Sequence, residues 1–101
     1  MINVIASLHV KEGLVPEFIE LFKSNVPNVL AEKGCIEYML TVDIPTGLPP
    51  QELDSNVVTI IEKWDCLEDL QAHLASPHMQ EFQKKEKDFI EKVSLKVLEA
   101  A

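Results

Sequence analysis

Two stretches of the chain, Ile2 to Val10 and Val57 to Trp64, carry apolar residues on both of the faces that a β-strand presents. Side chains alternate from side to side along a strand. Ile2, Val4, Ala6, Leu8 and Val10 therefore share one face, while Asn3, Ile5, Ser7 and His9 share the other. In the second stretch Val58, Ile60, Glu62 and Trp64 stand opposite Val57, Thr59, Ile61 and Lys63. Helices can cover one face of an antiparallel sheet, and the other must face water or another layer. With Ile5, Val57 and Ile61 exposed together, that second face is an apolar patch of the kind that marks an interface. A second copy about a two-fold axis is the simplest cover, though a partner protein would serve equally in energy. The expectation is a homodimer through the open sheet face.

Elsewhere the apolar spacing is helical. Val15, Phe18, Leu21, Phe22, Val26, Val29 and Leu30 form one stripe. Pro16 suits the first turn, where no N–H is needed, Pro27 should kink or split the helix, and Gly34 offers a stop. Cys35 to Asp43 reads as a strand with Ile36, Tyr38, Leu40 and Val42 on one side and Glu37, Met39, Thr41 and Asp43 on the other. Pro45, Gly47, Pro49 and Pro50 cannot continue a ladder, so a long, mobile hairpin connection should run to Asn56. After Trp64, Asp65 and Glu68 make a capping-box-like start for a helix with Leu67, Leu70 and Leu74 inward. Ser76-Pro77 restarts a helix whose apolar face is Met79, Phe82, Phe89, Ile90 and Val93, with the charged run Lys84 to Asp88 on the solvated side. Val93, Leu95 and Val97 alternate with Ser94, Lys96 and Leu98 in a last short strand. The order is β-α-β-β-α-β, which predicts an α+β, ferredoxin-like, four-stranded antiparallel sheet with helices on one face.

A chain of 101 residues has room for one core, so residues 1–101 are read as one domain. A formal net charge of −8 argues against nucleic acid and anionic membrane surfaces as partners. No apolar run approaches the roughly 20 residues of a membrane span, and the N-terminus lacks the order of a signal peptide. A cytoplasmic location follows. Cys35 and Cys66 have no metal-like spacing and read as free thiols, with Cys66 placed where a helix start could activate it.

Several strings together resemble the antibiotic-biosynthesis monooxygenase family, which includes small quinol monooxygenases. They are "VIASLHVKEG", "PEFIELF", "EKGCIEYML" and, most specific, "IIEKWDCLEDLQAHLASPHMQEF". Glu62 and Trp64 ending a strand, then His73 and Ser76-Pro77-His78 at these separations, match the family's recurring pattern. The resemblance implies a dimeric α+β barrel and oxidation of electron-rich phenols or quinols by O2 with no metal, flavin or haem. Such chemistry asks the protein for a proton acceptor, a dry apolar cavity and fixed dipoles around the aromatic anion. The haem-degrading branch of the superfamily uses a strand-one asparagine and a histidine on the last helix. That branch also uses the strand-three tryptophan, which Trp64 matches, but the asparagine position falls at Ala6 and the haem-ligand region holds Gln83, so haem cleavage is disfavoured.

The candidate proton acceptors are His73 and His78. His73 follows Leu70 by three residues and lies beside the apolar stripe. His78 falls in a first helical turn, where unpaired N–H groups disfavour a second positive charge. Either could instead pack or brace the helix junction. The pair is broken by a proline and lacks the i,i+4 spacing of helical zinc sites, so no metal is expected. Four residues could bind substrate. Glu62 sits among apolar neighbours and needs a partner or a raised pKa if buried. Trp64 could stack on an aromatic ligand or belong to the core. Tyr38 could orient a substrate oxygen, and His9 could line either the pocket or the dimer interior. The leading reading is a cofactor-independent monooxygenase acting on a small aromatic molecule and O2. Two alternatives compete: a proton-transfer isomerase of a phosphorylated metabolite, for which Lys63 is the main cation, and a non-catalytic ligand-binding dimer.

Overall fold

The computed structural model describes residues 1–101. Strand β1 (Ile2–Val10) leads into helix α1 (Val15–Leu30), and strands β2 (Cys35–Val42) and β3 (Val57–Trp64) follow. Helices α2 (Leu67–Leu74) and α3 (Pro77–Glu86) precede strand β4 (Ile90–Leu98). The strands form one sheet in the order β2-β3-β1-β4, and every neighbouring pair is antiparallel. This is the α+β ferredoxin-like architecture, with the second helical segment divided at Ser76.

Alternation decides which face is covered. Val4, Ala6, Leu8 and Val10 of β1 and Val58, Ile60, Glu62 and Trp64 of β3 are all buried against the helices. Phe18, Phe22 and Val29 of α1, Leu70 of α2, and Met79 and Phe82 of α3 close the same core. On the opposite face Met39, Ile61 and Ile5 lie in register across β2, β3 and β1, and no part of this chain packs a helix over them.

Five local expectations need correction. Helix α1 is continuous across Pro27, because the proline is exposed and water can reach the carbonyl of exposed Lys23 that it leaves unpaired. A register shift between Cys35 and Glu37 turns Ile36 outward, 46% exposed, and packs Cys35 against the core in its place. Cys66, not Asp65, stands at the N-cap of α2, with no side-chain capping bond. Leu67 and Leu74 of that helix stay 45% and 42% exposed, because Asp69, Leu70 and His73 take the inward positions. Finally, α3 ends at Glu86, so Phe89 lies in the turn and Ile90 and Val93 belong to β4.

The segment between β2 and β3 has no helix or strand, as its prolines require, yet it is knitted by its own polar groups. The Gln51 side chain donates to the Ile44 carbonyl at 2.6 Å, and the Asp54 N–H donates to the Asp43 carboxylate at 3.0 Å. No helix is long and apolar enough to cross a membrane.

Candidate functional site

The side chains that could do chemistry are set by two turns. After α1, the Glu32 N–H donates to the Val29 carbonyl at 3.0 Å and the Cys35 N–H to the Glu32 carbonyl at 3.3 Å, which fixes Glu32 in the turn between α1 and β2. Gly34 completes this turn at φ +81°, a region that L side chains avoid, and a Cβ there would collide with the Asp69 carboxylate. At the junction of α2 and α3, the Ser76 hydroxyl donates to the His73 carbonyl at 2.8 Å and caps α3 by accepting from the Met79 N–H.

These turns bring His73, Glu32 and His78 together. Oε2 of Glu32 lies 2.9 Å from Nδ1 of His73 and 2.8 Å from Nε2 of His78. His73 is 1% exposed, with its ring 4.7 Å from that of Trp64 and in edge contact with Tyr38. Trp64 donates its indole N–H to the Glu62 carboxylate at 3.0 Å. Tyr38 stacks on Phe22 at 5.3 Å. Tyr38, Glu62 and His73 all face a cavity of about 220 Å³ between the sheet and the α2–α3 pair. Its other walls are mainly apolar, among them Ile60, Phe82 and Leu95, and no lysine lines it.

The remaining candidates lie elsewhere. Trp64 is fully buried behind the wall and holds His73 and Glu62. His78 opens on a separate, mostly polar groove of about 170 Å³ between α1 and α3. His9 is on the opposite sheet face, in a depression with Asp43 and Asp54. Lys63, the cation an isomerase would need, also points to that face and pairs with Glu37 at 3.8 Å. Ala6 and Gln83 both border the cavity. No group of three or more His, Cys, Asp or Glu is arranged to hold a metal ion.

The sequence profile of the family described as "Antibiotic biosynthesis monooxygenase" matches residues 1–85. The chain belongs to that family. It is similar to the Escherichia coli K12 protein named "Probable quinol monooxygenase YgiN", with 30% identity over 98% of this chain and 97% of that one. A conserved protein of Methanosarcina mazei Go1 superposes with a TM-score of 0.82 at 26% identity, over 96% of this chain and 89% of that one. A Nitrosomonas europaea structure superposes with a TM-score of 0.84, over 99% of this chain and 98% of that one; at 17% identity this speaks for the fold alone.

Burial sets the protonation pattern of this site. Desolvation pushes the Glu62 carboxyl up, and it outweighs the Trp64 hydrogen bond and the nearby His73, which pull the other way. Desolvation, with Glu62 next, also holds the Tyr38 phenol well above its ordinary range, so Tyr38 remains a hydrogen-bond donor. Glu86, at the end of α3, borders the same cavity and is raised to about 7 by burial. Cys35 rises to about 11 through burial and the charges of Glu32 and Glu62. At Cys66 the Asp69 backbone N–H favours the thiolate, but the Asp69 carboxylate and desolvation reverse the balance. A helix start does not activate this thiol.

Glu32 and Glu86 were not among the candidates the sequence suggested. Glu32 follows the last turn of α1, outside any periodic stripe, and its only signal is its place in the "EKGCIEYML" string. Glu86 was hidden in a charged run whose other members, Lys84, Lys85, Lys87 and Asp88, are exposed.

Proposed function

We propose that this chain is a cofactor-independent monooxygenase that oxidises a small quinol-like aromatic molecule with O2 in the cavity bordered by Tyr38, Glu62 and His73, and that it works as a homodimer. The observation that carries this reading is one imidazole, His73, on the wall of an otherwise largely apolar cavity of about 220 Å³. A cavity of about 150 Å³ is enough for benzene, so a single substituted ring fits. The profile match and the quinol named for the Escherichia coli relative support the same substrate class.

The chemistry follows from the groups present. A neutral quinol enters an apolar space, and His73 accepts a phenolic proton as general base. The resulting anion is electron-rich enough to reduce O2. Tyr38, kept protonated by burial, donates to the anionic oxygen and stabilises charge as it forms. One oxygen atom joins the ring and the other leaves as water, so a quinol and one O2 give a hydroxyquinone and one water. A phosphorylated substrate suits the cavity poorly, since no cation lines it.

Open-face residues Ile5, Ile61 and Met39 form the row that a second copy would cover. The two free thiols fit a reducing compartment such as the cytoplasm. The test is a panel of quinols incubated with the protein in air and under argon. Turnover in air that stops without oxygen is expected. Quinol binding with no chemistry in either atmosphere would leave a binding protein instead.

A further inference from the structure

The carboxylate of Glu32 touches two imidazoles with the same oxygen, and the geometry decides which nitrogen of each carries hydrogen. A carboxylate oxygen only accepts. His73 must therefore present Nδ1–H to Glu32 at 2.9 Å. Its Nε2 has no partner within the chain, and no fully sealed side-chain nitrogen or oxygen is left unpaired, so Nε2 is the atom that keeps access to the cavity. That is the lone pair a phenolic proton needs.

The second histidine answers to the same logic. Nε2 of His78 lies 2.8 Å from Glu32 Oε2 and 3.3 Å from the Ser76 hydroxyl. Ser76 already spends its hydrogen on the His73 carbonyl at 2.8 Å. Both neighbours of His78 Nε2 thus accept, and His78 must donate. It stands on the groove between α1 and α3, away from the cavity, so it cannot take a proton from a molecule bound beside Tyr38.

We infer that Glu32 is the positioning residue of the site, holding His73 in the Nδ1–H tautomer and balancing the imidazolium that forms when Nε2 accepts a proton, while His78 clamps Glu32 in place. The catalytic part of this inference rests on the oxidation reading above. It resolves the choice between the histidines: His73 touches substrate and His78 acts through Glu32. In the proton step the quinol O–H bond breaks, Nε2–H forms on His73, and the positive charge is shared with Glu32 through Nδ1–H.

The assignment is tested by nitrogen NMR of the full chain together with steady-state oxidation of a quinol. The spectrum of the wild type should show Nδ1 protonated and Nε2 bare on His73. Glu32→Gln, which can present its amide N–H, should mix or reverse that tautomer and lower kcat about 100-fold with KM changed less than about twofold. His78→Leu should lower kcat by about tenfold, and His78→Gln, whose amide still donates to Glu32, should recover most of that loss. Circular dichroism on each variant separates these effects from unfolding. A wild-type His73 protonated on Nε2, or a folded Glu32→Gln protein with unchanged tautomer and kcat, overturns the inference while leaving the oxidation reading standing. The expected tautomer in a wild type that oxidises no quinol would instead sink the oxidation reading and the catalytic role of Glu32 with it.

Discussion

At the scale of single residues, the site depends on side chains whose neighbours are distant in sequence. Glu32 meets His73 across 41 positions and His78 across 46. Periodicity located His73 beside the inward stripe of α2, and the proline-started helix located His78, but neither could show a carboxylate between them. Glu62 was legible as a carboxylate among apolar residues; its partner proved to be Trp64, two residues along the same face. Trp64 itself looked equally suited to core and ligand, and the structure places it behind the wall. His73→Ala should reduce quinol turnover by about 100-fold or more while quinol affinity changes little, as measured by kinetics and by equilibrium binding under argon. Gly34 gives a prediction of a different kind. Gly34→Ala forces a left-handed backbone on alanine, costing about 1–2 kcal/mol, and drives a methyl group into Asp69. Urea unfolding should show a loss of about 2 kcal/mol or more, and adding Asp69→Ala should return part of it.

At the scale of elements, all four strands were readable from their alternation, although the register shift at Ile36 in β2 was not. The boundary error between α3 and β4 falls where two patterns overlap. Phe89, Ile90 and Val93 continue the apolar spacing of α3, yet β4 begins at Ile90, since pairing of Val10 with Ile90 and Leu8 with Val93 satisfies the edge of β1. Val93 and Leu95 then lie on the helix side of the sheet and remain 54% and 52% exposed, bordering the mouth of the cavity. The last turn of α3 carries Glu86 to that mouth. Its carboxyl is raised to about 7 in the folded chain against an ordinary value of 4.5. Folding therefore favours the protonated form, so its contribution to stability is present below about pH 4.5 and is lost as pH rises through about 7. Glu62 acts in the same direction. Thermal unfolding at pH 5 and pH 8 should show Glu86→Gln gaining on the wild type at the higher pH. An equal difference between the two proteins at both values would contradict the burial assigned to Glu86.

At the scale of the whole molecule, the two-faced strands that opened the sequence argument have the same consequence in three dimensions. One side of the sheet holds the core and the cavity; the other presents Ile5, Ile61 and Met39 in one row. Sedimentation at micromolar concentration should show a dimer, and Ile61→Lys should shift it towards the monomer because a lysine amine would be trapped in an apolar layer. A wild-type monomer would remove the dimeric part of the proposal. The central claim concerns the cavity, and isotope labelling reaches it most directly. Metal-stripped wild-type protein is given a quinol under ¹⁸O₂ and the product is weighed by mass spectrometry. The account predicts one labelled oxygen in the hydroxyquinone and the other in water, with labelled product forming about 100-fold or more slowly in His73→Ala. Unlabelled quinone with release of peroxide, or no product at all, would contradict it.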